Sequence, residues 1–359
     1  MAVENEEISA PAGLILLGEH SVVAPYYKMS IGMAVTIFAR AHMEEGNKGT
    51  FSLQSLNVSD ANATVSEDRL RRLYQSWEHR GERKDNSGIL KYIEENKDIP
   101  AGALPFLTVA ARLLVEHNIN VIGKKVVINS EIPTGVGYAS SAASSTAFTV
   151  ALIASGNKVI DDSVAIDIIR DGERVLHKNE GAGGIDVTVS YYGGYARWQR
   201  GVATKLDMST NLNIVVIETG PKRPTGEMVN VVKAFYERDP VRVTKIMDEI
   251  DECSHKGLAA LRKGDVEEVG RQMFKDHELL RELGVSTEKL DLAVKTAKEN
   301  GAYGAKLKGG GGGGIGLAIC PEPEHLVAAL NRLDGIVAKP ARIAKYGARR
   351  SLKRDNDEI

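Results

Sequence analysis

Only two cysteines, Cys253 and Cys320, occur in 359 residues, which excludes a disulfide framework. Excess charge of either sign is also missing: 46 Lys plus Arg against 48 Asp plus Glu leave a formal net charge of −2. A dedicated nucleic-acid binder usually looks basic overall, so no nucleic-acid partner is expected. Long apolar runs are absent as well. The most membrane-like stretch, Ala142–Ser155, is short of the ~20 residues of a spanning helix and full of Ser and Thr. The start, Met-Ala-Val-Glu-Asn-Glu-Glu, lacks the basic-then-apolar layout of a secretory signal. A cytoplasmic protein without a membrane partner is the expectation. Disorder of the whole chain is excluded by 43% hydrophobic residues and mixed charge.

Glycine, by contrast, is plentiful: 36 residues, about a tenth of the chain, against a usual share of roughly 7%. Length favours two lobes, since single cores rarely grow past ~250–300 residues. Gly13–Leu17 and Ile31–Arg40 read as strands, and residues 45–100 as a polar excursion of loops and short elements. A helix is expected over 104–117, a strand over 125–130, and helices from about 140 to 155 and 162 to 177. Asp186–Val189 looks strand-like, as do Tyr195–Gln199 and Asn213–Glu218. Four helices follow, at about 225–237, 241–263, 265–282 and 287–300. Two apolar strands, Tyr303–Lys308 and Ile315–Cys320, then flank six consecutive glycines at 309–314.

Three glycine loops carry the chemistry. In Pro133–Ala143 a strand runs into Gly135 and Gly137, and a helix begins near Ser140. Helix starts expose unpaired N–H groups and suit a phosphate, although an ordinary capped helix reads equally well. No Gly-Lys-Ser/Thr follows, so this is not a Walker A loop. The run at 309–314 is costly, at ~0.5–1 kcal/mol of ordering entropy per glycine relative to Ala. It is either a flexible hairpin or a backbone made to approach a charged group closely. In Asp171–Asp186, Glu173 falls on an apolar stripe with Ile166, Ile169 and Leu176, and an inward carboxylate needs a partner. Asp186, after the loop's glycines, reads as a turn cap or as a general base.

Taken together, the loops resemble the galactokinase–homoserine kinase–mevalonate kinase–phosphomevalonate kinase (GHMP) superfamily, and within it the mevalonate kinases. Ala10-Pro-Ala-Gly-Leu-Ile-Leu-Leu-Gly-Glu-His-Ser-Val-Val23 is similar to APGKxxLxGEHxVV, and Pro133–Ala143 to PxGxGLGSSAA. Gly304-Ala-Lys-Leu-Lys-Gly through Gly314 is similar to GAKLTGAGGGG, with the Gly172–Asp186 and Tyr192–Gly194 segments in order between. The resemblance implies a two-lobed α+β fold: a ribosomal-S5-like N-terminal lobe over 1–193 and a ferredoxin-like, helix-rich C-terminal lobe over 194–359. It implies ATP and Mg²⁺ as cofactors and a small-molecule acceptor. Homodimers are common in the family, so a homodimer is carried as an expectation.

By the same resemblance, Gly135, Val136, Gly137, Tyr138, Ala139, Ser140 and Ser141 would wrap the ATP phosphates. Ser141 and Glu173 would hold Mg²⁺, Glu19 and His20 would line the acceptor side, and Asp186 would take the proton of the attacking hydroxyl. Departures cluster around the acceptor and the transferred phosphate. Gly13 stands where the family has a lysine, Lys308 where it has a threonine, and Tyr138-Ala139 where Leu-Gly is common. The loop before Asp186 is longer than the family's Asn-Pro-Ser-Gly. An ATP-dependent kinase of mevalonate or a phosphorylated mevalonate is expected, with Lys308 catalytic and supplying the charge lost at 13. The alternatives are a specific mevalonate 3-phosphate 5-kinase, in which Lys308, Lys178 and Arg223 meet the extra phosphate, and a catalytically inactive metabolite-binding relative.

Overall fold

The computed structural model describes residues 7–22, 25–81, 86–133, 137–156, 158–179, 181–220 and 223–350. In chain order it begins with β1 (Ile8–Leu17), β2 (Ser30–Glu45), β3 (Thr50–Ser55), β4 (Ala63–Ser66), α1 (Glu67–His79), α2 (Ser87–Glu95), α3 (Leu104–Glu116) and β5 (Lys124–Ser130). Next come α4 (Ser140–Ser155), α5 (Asp162–His177), α6 (Gly184–Tyr192), β6 (Tyr195–Gln199), β7 (Val202–Leu206) and β8 (Ile214–Glu218). Helices α7 (Thr225–Arg238), α8 (Pro240–Lys263), α9 (Val266–Glu282) and α10 (Glu288–Glu299) precede β9 (Gly304–Leu307) and β10 (Ile315–Ile319). The described chain closes with α11 (Pro323–Leu330), β11 (Val337–Ala341) and β12 (Arg349–Arg350).

Two sheets organise this two-lobed α+β fold. The first runs β12-β1-β2-β5-β3-β4, with β6 beside β2 and β7 beside β6; the second is an antiparallel β11-β8-β10-β9. β6 and β7 follow residue 193 in the chain yet extend the first sheet. An apolar cluster joins the lobes: Leu14, Leu16, Ile31 and Met33 of the first sheet pack with Ile214, Val216 and Leu317 of the second and Met273 of α9. Loops that leave either sheet at this seam are therefore held at fixed separation, the condition a two-sided site needs. Among the described residues, no helix is long and apolar enough to cross a membrane.

One expectation is corrected. Asp186–Val189 is not a strand but part of α6, and Asp186 sits in its first turn. Its β-branched residues favour strands locally, yet packing decides the outcome. Val189 packs with Ala34, Ala196 and Ala344, Val187 with Ala142 and Ile169, and the Thr188 hydroxyl donates to the Gly184 carbonyl at 2.7 Å.

Candidate active site

One wall of the candidate site is built by the turn into α4. Gly135 and Val136 lie outside the described residues; Gly137 has φ +113°. Tyr138 is buried, and its hydroxyl donates to Glu218 Oε1 of β8 at 2.8 Å, tying the turn to the second sheet. Burial, then the Glu218 carboxylate, pushes the Tyr138 phenol well above its ordinary pKa, so it stays a donor. The N-cap residue of α4, Ala139, supplies no side-chain acceptor to the first turn, which begins at Ser140 and Ser141, and an anion there would meet its N–H groups.

Ala139 holds a left-handed conformation, φ 53° and ψ 40°. An L-residue there costs roughly 1–2 kcal/mol, of which the greater freedom of glycine in the unfolded chain cancels about half. Ala139→Gly is therefore expected to stabilise the protein by about 0.5–1 kcal/mol, raising the thermal midpoint by about 1–2 °C. A lower midpoint would contradict the left-handed turn.

Glu173 is distinguished from the other inward acid of α5 by its partners. Asp171 is neutralised by Arg112 at 2.6 Å and by Arg174, and accepts the Trp77 indole N–H at 2.8 Å. Glu173, equally buried, receives the Ser141 hydroxyl at 2.9 Å and the Ser145 hydroxyl at 3.4 Å, with His177 Nε2 also 3.4 Å away. Among the described residues no lysine or arginine is paired with it. Leu176, expected on the same stripe, is instead exposed. No group of three or more His, Cys, Asp or Glu residues forms a metal cage among the described residues. A single buried carboxylate beside hydroxyls still fits Mg²⁺, which takes one or two protein oxygens and fills its shell with phosphate and water.

Asp186, in the first turn of α6, comes unusually close to β1. A Cβ built on Gly13 would lie 2.9 Å from Val189 Cγ2, 3.2 Å from Asp186 Oδ1 and 3.3 Å from Asp186 Cα. The volume in which the resemblance expects a lysine stem is thus filled by α6 itself. Lys308, at the end of β9, is almost fully buried, and its ammonium donates to the Gly137 carbonyl at 2.7 Å. The glycine run that follows is an ordered turn. Five of its six residues have positive φ, and a Cβ on Gly311 would stand 2.1 Å from the Val285 carbonyl oxygen. The Gly312 N–H donates to that same carbonyl, and the Gly312 carbonyl accepts the Arg223 N–H at 3.0 Å.

Glu19 and His20 sit against this run. The Gly309 N–H donates to Glu19 Oε1 at 3.2 Å, and His20 Nε2 lies 3.1 Å from the Gly310 carbonyl. Burial lowers the His20 pKa, so the ring is neutral and carries its proton on Nε2 to reach that acceptor. Sequence reasoning missed what lies behind them. Lys306 Nζ is 2.5 Å from Glu19 Oε2 and 3.4 Å from Asp276 Oδ2, all three side chains being buried. Next to Asp276, His277 accepts the Leu307 N–H on Nδ1 at 3.3 Å and holds Asp291 Oδ1 at 3.2 Å from Nε2. A signal existed: Asp276 shares the buried stripe of α9 with Val269, Met273 and Leu280, the same pattern that singled out Glu173.

The chain matches the GHMP kinases N terminal domain over residues 106–194 and the GHMP kinases C terminal family over residues 258–337. It is 33% identical over 350 residues to the mevalonate kinase of Pyrococcus abyssi, covering 95% of this chain and 96% of that protein. Among solved structures, the Methanococcus jannaschii mevalonate kinase superposes with a TM-score of 0.75 at 24% identity, over 96% of this chain and 99% of that one. The L. major mevalonate kinase in complex with R-mevalonate gives 0.72 at 23% identity, over 95% and 97% of the two chains. At these identities the structural likenesses speak for the fold alone.

Proposed function

This chain belongs to the GHMP kinases, and on that premise we propose that it transfers the terminal phosphoryl group of ATP to a hydroxyl of mevalonate or of a phosphorylated mevalonate. The enzyme is a phosphotransferase with an alcohol acceptor. One observation carries the reading: the turn into α4 lies between a buried carboxylate, Glu173, bonded to Ser141, and a buried ammonium, Lys308, bonded to the Gly137 carbonyl. Phosphoryl transfer needs such positioning and charge neutralisation rather than covalent help. The α4 amides and the loop 135–141 would cradle the ATP phosphates, and Glu173 with Ser141 would hold Mg²⁺, which when bound would neutralise phosphate charge.

Asp186 takes the proton of the acceptor hydroxyl. That oxygen bonds to the terminal phosphorus, the bond from phosphorus to the bridging oxygen breaks, and ADP leaves with the electron pair. Glu19 and His20 shape the acceptor side. A phosphate already on the acceptor is the sharper version of the reading, favoured by the cations at the glycine run. Lys308 precedes the run, and the Arg223 backbone N–H donates to the Gly312 carbonyl, which brings that residue beside it. Lys178 is exposed at the end of α5.

The test is an assay of mevalonate, mevalonate 3-phosphate and mevalonate 5-phosphate side by side with ATP and Mg²⁺. One acceptor is expected to be turned over with kcat/KM at least about tenfold above the others, since removing a charged hydrogen-bonded contact costs roughly 1.5–3 kcal/mol. Free mevalonate as best acceptor removes the sharper version. ATP binding without turnover on any acceptor points to an inactive relative and sinks the kinase reading.

A further inference from the structure

We propose that Lys306 and Asp276 are positioning residues of this site, acting through Glu19 to hold the glycine run in register against the end of β1. What the run does rests on the kinase reading above; how it is held does not. The three side chains come from three elements and are each at most 1% exposed. Their contacts make one continuous tie. Asp276 Oδ2 accepts the Gly18 N–H at 3.4 Å, and Lys306 Nζ bridges the two carboxylates while donating to the Leu307 carbonyl at 2.9 Å. The other oxygen of Glu19 receives the Gly309 N–H, and the next residue, His20, engages Gly310. Successive residues of the β1 turn therefore grip successive residues of the run.

Burying two acids around one base is a weak source of stability, because desolvation offsets the Coulomb gain and apolar replacements are often as stable. Such a cluster is better suited to fixing geometry, and here it lies between two glycine turns that could otherwise adopt many conformations. The groups facing Asp276 are Glu19 from the β1 turn, Cys253 of α8, Lys306 of β9 and its own neighbour His277, with Asp291 of α10 behind His277. Burial, with help from the Glu19 charge and against the pull of Lys306, pushes the Asp276 carboxyl up to about 7. Because its folded pKa is raised, its favourable contribution is complete below the ordinary carboxylate pKa of about 4 and is lost as pH rises through 7.

The test uses the full chain, as Asp276→Asn and as the double variant Glu19→Gln/Lys306→Met, which removes charge from both partners and leaves no unpaired ammonium. Hydrogen exchange without ligands, thermal midpoints from pH 5 to 8, and kcat and KM are measured. In the double variant, exchange over 309–312 is expected to rise at least about tenfold while the rest of the chain is unchanged. kcat should fall by about 30-fold or more because the loop is misplaced, and the acceptor KM should rise as well, since Glu19 also shapes the acceptor side. Asp276→Asn, which can still accept the Gly18 N–H, should keep loop exchange near wild type and flatten the fall of the midpoint above pH 5. Unchanged loop exchange in the double variant overturns the proposal, and so does a uniform rise across the chain. If wild type phosphorylates nothing, the kinase reading fails and the exchange result still decides the positioning.

Discussion

Lys308→Ala is expected to lower kcat by about 10²–10³-fold, the usual cost of removing one preorganised donor from a site where charge develops. Lys308 Nζ is held at 2.7 Å by a neutral acceptor, the Gly137 carbonyl, in a nearly solvent-free position. No carboxylate is paired with it among the described residues. A buried ammonium whose bond goes to a carbonyl is under-compensated, and on the proposed reading the terminal phosphate of ATP at the adjoining turn would be the anion that completes it. Lys308→Arg retains the charge but presents a planar fork where a point charge fits, so partial activity is expected. Steady-state kinetics with saturating ATP reads the effect. Activity within about fivefold of wild type would mean that the transferred charge is neutralised elsewhere.

Much of this site was legible along the chain because its parts are local. The ends of α5 follow apolar spacing and fall at the expected residues, 162 and 177, and the six glycines are visible without any fold. Glu173 could be picked out as an acid on an apolar stripe, and the structure adds why Asp171, two residues earlier, is not its rival: two arginines already neutralise Asp171. What escaped depended on long-range packing. The helical state of 184–192 is decided by the small-residue clusters that receive Val187 and Val189, not by local preference. In α1 the buried Leu70, Leu73 and Trp77 have helical spacing, but acids and arginines at 67–72 hide it. β7, a hairpin partner of β6 with three exposed positions among its five residues, carries little alternation to read. The Glu19–Lys306–Asp276 tie joins residues more than 250 positions apart, and no periodicity encodes such a meeting.

Gly13→Lys, which restores the residue that the resemblance expects, should impair the enzyme and not improve it. The wild-type backbone at 13 lies so close to α6 that even a methyl group meets Val189 Cγ2 at 2.9 Å and Asp186 Cα at 3.3 Å. One of these neighbours is a side-chain tip, but the other is helix backbone, so α6 must shift. Overpacking of this kind costs about 1–3 kcal/mol of stability. If Asp186 takes the acceptor proton as proposed, displacing it by as little as ~1 Å would cost about 10²-fold in turnover. Gly13→Ala separates bulk from charge: it introduces the same Cβ without an ammonium, and a loss in the same direction is expected. The decisive variant combines Gly13→Lys with Lys308→Ala. If position 308 has taken over a charge that position 13 cannot sterically carry, the double variant will be at least as poor as Lys308→Ala alone. Recovery of turnover above Lys308→Ala would instead show that α6 yields to the lysine and that the two positions are interchangeable donors of one charge.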